Sequence, residues 1–251
     1  MQQSCRVAIL VKALPQPSSR YGETVCCAGV TLDRQWKRLY PVRFRHLTGD
    51  SAFKRWDLVS YDYGRPKQDR RQESCHVHEE SIQVDGKLDE KARTRLLSPL
   101  IVGSAEDAMS RGQSLALIRP RNPRFRWKPK SPGVIEAEKA AFARAARQIG
   151  MFDQHLAAME PTPYHFGFSF EDLAGKHTYQ CGDWEAHAMF WNESRRSNAA
   201  KALAWMDATF NETYPKAGMV FAIGNQAKRP KTWQLLGVLR LSDEKQGDLF
   251  G

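Results

Sequence analysis

The chain has 251 residues and a formal net charge of +10, from 38 Lys and Arg against 28 Asp and Glu. A composition of 41% hydrophobic and 26% charged residues is that of a globular protein and excludes extensive disorder. No stretch approaches the roughly 20 apolar residues that cross a bilayer, so we expect no membrane partner. The basic excess favours a polyanionic partner, because each neutralised phosphate releases condensed counterions.

The cysteines indicate a reducing compartment. Their number is odd and their spacing irregular, unlike the disulfide framework of a small secreted protein: Cys5, Cys26, Cys27, Cys75 and Cys181. The short apolar run that ends at Val11 has no cleavage-like site and is typical of a first strand, not of a signal peptide. We therefore expect a cytoplasmic protein.

The first 85 residues alternate apolar and polar side chains with the period of a β-strand. Four strands are predicted: Arg6 to Leu10, Thr24 to Leu32, Trp36 to Tyr40 and Trp56 to Tyr63. Short strands without helical periodicity predict a small β-barrel-like domain over residues 1–85. SH3-like, OB-like and PUA-like barrels all fit this pattern.

The rest of the chain mixes helices and strands, so the predicted fold class is α+β with a C-terminal α/β half. Helices are expected within residues 135–158 and 186–210, and a closing pair of strands near the end. After the barrel we expect a helical segment at residues 86–118 and a basic linker or arm at residues 119–133. An α/β region at residues 134–241 and a flexible tail at residues 242–251 follow.

The strongest basic element runs from Arg119 to Lys130, with six cations, two aromatic rings and no acidic residue. Prolines keep it extended, so its cations can follow a phosphate backbone while its rings stack on bases. The alternative is a solvated linker. The residues predicted to bind nucleic acid here are Arg121, Arg124, Phe125, Arg126, Trp127 and Lys128.

A second basic cluster spans residues 36–46 and adds Arg38, Arg43 and Arg45. The two-residue period would place Arg43 and Arg45 on one face of an extended segment. Neither cluster forms a basic amphipathic helix, which favours nucleic acid over a membrane surface. Of the nucleic acids, we expect DNA.

Several motifs resemble a family of uncharacterised prokaryotic proteins. The first motif comprises Lys12, Pro15, Pro17, Ser18, Tyr21, Glu23, Cys26 and Gly29. Later matches are Trp36, Arg38, Tyr40, Pro41 and Arg45, then Asp183-Trp184-Glu185, Phe221 to Asn225 and Trp233 to Gly237. The resemblance implies a prokaryotic source and marks these positions as important, but it brings no activity.

Some of these residues permit catalysis. A Lys amine beside a carboxylate, Lys12 with Glu23 and Tyr21 nearby, is a candidate nucleophile or general acid–base for base excision or group transfer. Alternatively Lys12 and Glu23 form a surface ion pair, and Tyr21 is a core residue.

Asp183 and Glu185 would share a face of an extended segment, where they could hold Mg²⁺ for phosphodiester hydrolysis. Mg²⁺ is the one cofactor that a nuclease would imply. The alternative, which we favour, is that they cap the helix beginning near Ala186.

Zinc is a weaker candidate. Cys75, His76 and His78 together with His177 and Cys181 could supply ligands from two segments, but no Cys-x-x-Cys is present. We therefore predict no metal site.

The last residues resemble the short peptide with which bacterial polymerases and repair proteins bind the sliding clamp. Leu249 and Phe250 would fill an apolar cleft and Gln246 would hydrogen-bond at its edge. The alternative is a tail that packs back on its own domain.

Three functions follow. The first is a DNA-binding accessory protein of genome maintenance, mobile elements or phage defence, tethered to the sliding clamp. The second is a nucleic-acid-processing enzyme, and the third is a protein–protein adaptor.

Overall fold

A computed structural model describes residues 3–18, 22–67, 69–147 and 158–242. The chain forms two compact units, which it enters and leaves more than once. The first contains Met1–Lys87 and Lys128–His165, and the second contains Leu88–Trp127 and Phe166–Gly251.

The first unit is built mainly from strands. They are β1 (Gln3–Lys12), β2 (Gln16–Ser18), β3 (Gly22–Val30), β4 (Trp36–Val42), β5 (Asp57–Gly64), β6 (Ser74–Val77) and β7 (Gln83–Lys87). Short 3-10 turns occupy Gly49–Ser51 and Glu79–Ser81. One helix, α3 (Pro132–Ala146), packs against β2 and β3.

Five of these strands close into a barrel. The order β1-β3-β4-β6-β5 returns to β1, because β1 pairs antiparallel with both β3 and β5. Pairing of β4 with β6 is parallel. Counting only the barrel strands along the chain, the order is 1-2-3-5-4-1, which is the Greek-key connectivity of an OB-type barrel. The predicted small barrel is therefore confirmed, and its topology is the OB-like one of the three considered.

Inward-pointing apolar side chains from the strands fill the barrel. In β5, Val59 and Tyr61 point inward and pack with Val7 and Ile9 of β1, while the residues between them are half-buried. β6 contributes Cys75 and Val77 to the same core. The sequence pattern did not predict β6, although the barrel closes only through it.

The second unit contains two sheets. Its strands are β8 (Ile101–Val102), β9 (Leu115–Ile118), β10 (Arg121–Pro129), β11 (Tyr164–Asp172), β12 (Gly175–Gln180), β13 (Met219–Gln226) and β14 (Arg229–Arg240). One sheet has the order β10-β11-β12 and the other β14-β13-β9-β8. The last two residues of β10 and the first two of β11 belong to the first unit.

Its helices are short. They are α1 (Glu90–Leu97), α2 (Ala105–Ser110), α4 (Trp184–Arg196), α5 (Ala199–Ala208) and α6 (Tyr214–Lys216). A 3-10 turn at Ser98–Leu100 follows α1. A π-helical turn at Thr209–Thr213 joins the last two helices. The helix predicted over residues 186–210 is divided, because Asn198 caps the start of α5. In the part of the chain that the structure describes, no helix is long and apolar enough to cross a membrane.

The basic segment predicted as a linker or arm is instead a strand. Most of residues 119–133 form β10, which pairs with β11. The reason is the single apolar ring at its centre: Phe125 packs on Phe166, Phe168 and Phe210, with ring centroids 5.2 to 5.7 Å apart. A residue buried in a core fixes the strand that carries it, whatever the charge of its neighbours.

Candidate nucleic-acid interface

β10 presents a cationic face to solvent. Arg124 and Arg126 flank Phe125 and point away from the core, and both are exposed. The guanidinium of Arg126 donates to Ser169 Oγ on β11 at 3.3 Å. Next along the same face, Ser169 pairs with Thr178 of β12. The arginines therefore stand on a polar sheet surface that can accept a phosphate backbone.

The stacking role predicted for Phe125 is wrong. Its ring is 4% exposed and belongs to the core, so no base can reach it. Trp127, two residues further along the strand, is 43% exposed, as predicted. Of the two rings, Trp127 alone can stack on a base.

Not every cation of the basic segment is available to a ligand. Arg121 donates to the main-chain carbonyl of Asp172 at 2.7 Å. Lys130 is almost buried and forms an ion pair with Glu138, Nζ to Oε2 at 2.7 Å. Lys128, in the first unit, is exposed.

A histidine in the first unit reports the positive potential near these lysines. Burial, followed by the charges of Lys130 and Lys128, lowers the pKa of His165, and Glu138 opposes this shift. His165 is therefore held toward its neutral form, first by burial and then by the two lysine charges.

In the barrel, the predicted cations are largely built into the fold. Arg38 is buried, with Nη1 3.7 Å from Cys26 Sγ and Nη2 4.0 Å from Glu73 Oε1. Arg43 binds Glu79 through two nitrogens at 2.9 and 2.8 Å. These two arginines therefore act chiefly as structural ties.

The expected common face of Arg43 and Arg45 is not present. β4 ends at Val42, and residues 44–46 form a turn, so the two-residue period of a strand does not extend to them. Arg45 is half-buried in that turn.

An aromatic pair on the outer surface of the barrel was not predicted from the sequence. Tyr40 of β4 is 44% exposed, and its partner in the parallel pairing with β6 is His76, which is also exposed. Residues paired in this way project to the same side of a sheet. No periodic signal marks Tyr40, because the buried Val42, two residues away, would share its face in a regular strand.

The loop between β5 and β6 was also missed. Three of its cations are exposed: Arg65, Lys67 and Arg70. In an OB-type barrel the corresponding loop, between the fourth and fifth strands, is one of the two that bind oligonucleotides.

The same loop is braced by Asp69. It accepts hydrogen bonds from Arg71, Nη2 to Oδ2 at 2.6 Å, and from Ser74 Oγ at 2.7 Å. Burial alone would raise the pKa of Asp69, but the hydrogen bonds and charge of Arg71, with the bond from Ser74, lower it to about 2. The loop is thus held at the start of β6 by an ionised carboxylate.

The candidate catalytic residues are only partly described. Lys12 is buried, with Nζ 5.3 Å from the centre of the Phe44 ring. Its charge opposes the rise that burial causes in the pKa of Cys27. Tyr21 and the side chain of Glu23 lie outside the described residues, so their convergence with Lys12 stays a prediction.

Asp183 and Glu185 lie at the start of α4, as the capping interpretation requires. Asp183 is the N-cap: its Oδ1 accepts from the main-chain amide of Glu185 at 3.0 Å. Its Oδ2 accepts from the amide of Val238 at 2.9 Å. Both oxygens of the proposed Mg²⁺ ligand therefore make structural hydrogen bonds.

The residues considered as zinc ligands do not come together. Cys75 points into the barrel, whereas His76 on the same strand points outward. In the second unit, His177 pairs with Asp172, Nε2 to Oδ1 at 2.8 Å, and Cys181 is buried.

A cavity of about 410 Å³ lies in the second unit. Its walls include Arg119, Lys216 and Arg240 but a single acidic residue, Glu90. Arg240 is placed by the ring of Tyr214, whose centroid is 4.9 Å from its guanidinium carbon. The cavity has the size of a small-molecule site and an excess of positive charge, which suits an anionic group.

The fold and surfaces define a two-unit α+β protein with an OB-type barrel and two cationic faces. Residues 100–251 match the family described as Domain of unknown function (DUF8757), and residues 3–101 match Domain of unknown function (DUF8758). The first match covers more than half of the chain, which therefore belongs to the DUF8757 family. No curated protein matches the chain.

Proposed function

We propose that this chain is a nucleic-acid-binding accessory protein that takes a single strand, DNA in preference, on its OB-type barrel. One observation carries the proposal. The exposed rings of Tyr40 and His76 lie side by side on β4 and β6, and the loop that leads into β6 carries three exposed cations, Arg65, Lys67 and Arg70.

This combination suits a single strand because exposed rings can bind its bases while exposed cations bind its phosphates. Bases stack on an aromatic ring with little regard to sequence, and a duplex keeps its bases out of reach. Cations next to the ring neutralise the phosphates of the same strand. Tyr40 would supply the stacking surface, and Arg65, Lys67 and Arg70 the charge.

The barrel also supplies a matched control. Lys54 precedes the start of β5, and Lys87 of β7 pairs with Asp57, the first residue of β5. The cationic loop follows the other end of β5, eight residues away, a distance of about 25 Å at the rise of a strand. Both control lysines are exposed.

Fluorescence anisotropy with single-stranded DNA, single-stranded RNA and duplex DNA, measured over a range of salt concentrations, tests the proposal. The single strand should bind best. Tyr40→Ala should weaken the affinity for the single strand about fivefold to a hundredfold, the effect of losing one stacked base. The triple variant Arg65→Ala, Lys67→Ala, Arg70→Ala should reduce the slope of log K against log salt by about 2, at ~0.7 per phosphate.

The double variant Lys54→Ala, Lys87→Ala should retain both the affinity and the slope. The proposal is wrong if no polymer binds at low salt. It is also wrong if the control weakens binding as much as the loop variant does.

A second surface for the same function is the exposed face of β10. Arg124 and Arg126 line it and Trp127 adds an exposed ring. This surface supports binding of a phosphate backbone, with less stacking than predicted, since Phe125 is in the core.

Tethering to the sliding clamp rests on the sequence alone, since Gln246, Leu249 and Phe250 lie outside the described residues. A peptide of residues 242–251 should bind a bacterial clamp with a micromolar Kd, equivalent to about 8 kcal/mol. Leu249→Ala with Phe250→Ala should abolish this binding. Equal binding by that peptide would contradict the tether.

A further inference from the structure

Three potential metal ligands meet in the second unit. Asp172 is the last residue of β11, and His177 lies diagonally across the β11–β12 hairpin, opposite Phe170. Glu106 approaches from the first turn of α2. The side-chain ligand atoms of these three residues all lie within 4.8 Å of one another.

The carboxylate of Asp172 lacks a partner that its burial demands. The residue is 3% exposed. Its Oδ1 accepts from the amide of Ala174 at 2.8 Å and lies 2.8 Å from His177 Nε2. Its Oδ2 is buried and has no hydrogen-bond partner among the described residues. A buried carboxylate oxygen without a donor is costly and calls for a cation.

A protonated His177 would neutralise Oδ1 of Asp172, but Oδ2 has no donor among the described residues. Arg121 bonds the main-chain carbonyl of Asp172, at 2.7 Å, and not its carboxylate. Two carboxylates and one imidazole thus meet in partly buried surroundings, an arrangement that attracts a metal ion.

We propose that Glu106, Asp172 and His177 bind one divalent transition-metal ion, with Zn²⁺ the expected occupant. One imidazole with two carboxylates suits zinc or its first-row neighbours, whereas calcium and magnesium prefer oxygen ligands alone. Three protein ligands leave a fourth position for water, as in zinc sites that perform chemistry. The hydrogen bond between His177 and Asp172 would be replaced by bonds from both residues to the ion.

The sequence could not reveal this site. His177 was considered with Cys181, four residues along the chain, whereas its partners are Asp172, across a hairpin turn, and Glu106, which is about seventy positions away in sequence. Only the pairing of β11 with β12 and the placement of α2 bring the three together.

Titration of the full-length, metal-free protein with Co²⁺, followed by displacement with Zn²⁺, tests the proposal. We expect one Co²⁺ per chain, with weak visible bands and no strong near-ultraviolet absorption from thiolate ligands, because the site contains no sulfur. Zn²⁺ should then displace the cobalt. A strong thiolate band would assign the metal to a cysteine and overturn the proposal.

Variants locate the ion. Glu106→Gln, Asp172→Asn and His177→Gln should each weaken Co²⁺ binding by roughly tenfold or more, since changes even outside the ligand set cost that much. Glu106 is exposed, so its variant is expected to fold and keeps the test valid if Asp172→Asn does not.

The matched control is Glu171→Gln. Glu171 precedes Asp172 but points to the other face of β11, where its carboxylate lies 3.9 Å from Lys176 Nζ. It should bind Co²⁺ like the unaltered protein. No binding at millimolar Co²⁺, or the same affinity in Glu106→Gln and His177→Gln as in the control, would overturn the proposal.

Discussion

Asp183 joins the start of helix α4 to strand β14 through Val238. One carboxylate oxygen accepts from the amide of Glu185, and the other accepts from the buried amide of Val238. Asp183→Ala should therefore lower the free energy of unfolding by about 2–4 kcal/mol, the sum of a lost helix cap and a buried amide left without its acceptor. Urea unfolding measures this loss.

The control for that variant is Glu185→Gln. If Asp183 and Glu185 formed a metal-binding pair, both changes would alter function and neither would need to alter stability. In the capping role, Glu185→Gln changes the free energy of unfolding by about 0.5 kcal/mol or less. An Asp183→Ala variant as stable as the control would contradict the structural role.

Phe125 and Trp127, two residues apart on β10, should separate stability from binding. Phe125→Ala removes a ring packed on three others and should cost about 3–5 kcal/mol in thermal or urea unfolding. Trp127→Ala should cost less than about 1 kcal/mol, because nearly half of the side chain is in solvent. The reverse order of the two losses would show that β10 is not held by its phenylalanine.

The cationic face of β10 should contribute to the salt dependence of nucleic-acid binding. Replacing Arg124 and Arg126 by Ala removes up to two phosphate contacts, so the slope of log K against log salt should fall by about 1 to 2. The control is the double variant Lys201→Ala, Lys231→Ala, which removes the same number of charges from two exposed lysines on other elements. An unchanged slope in the arginine variant would remove β10 from the interface.

Asp69 should make the barrel sensitive to acid. Its folded-state pKa of about 2 lies below the ordinary value of 3.8. The stabilisation is therefore fully present above about pH 4 and is lost as the pH falls toward 2. Asp69→Asn should be less stable than the unaltered protein at pH 7, and the difference in urea midpoint should shrink progressively between pH 4 and pH 2. A constant difference over that range would contradict this account.

The barrel was predictable because strands such as β5 show a clear two-residue period. Val59 and Tyr61 alternate with half-buried residues in β5, and that period identifies a strand without any knowledge of its partners. β6 was not predicted because it contains only the four residues Ser74–Val77, too few for a two-residue period to be recognised. Closure of the barrel is a property of pairing, which no local pattern encodes.

The candidate sites were less predictable, because a charge pattern does not show which side chains are already paired. Arg43 appeared to be a phosphate ligand, yet it binds Glu79, thirty-six positions along the chain. Phe125 appeared exposed because cations surround it in sequence, and those cations alternate to the other face of β10. Tyr40 was hidden for a different reason: it lies two residues before the buried Val42, so the period of a strand counts it as core.

β10 is one of the two outermost strands of its three-stranded sheet in the described part of the chain. The main chain of an outermost strand can template the addition of a strand from another molecule, and prolines or cations on it discourage that growth. Pro123, Arg124 and Arg126 occupy this position. The arginines that we assign to phosphate binding would then also keep the protein from aggregating, so apolar replacements such as Arg124→Val should lower solubility at high concentration even where the fold is intact.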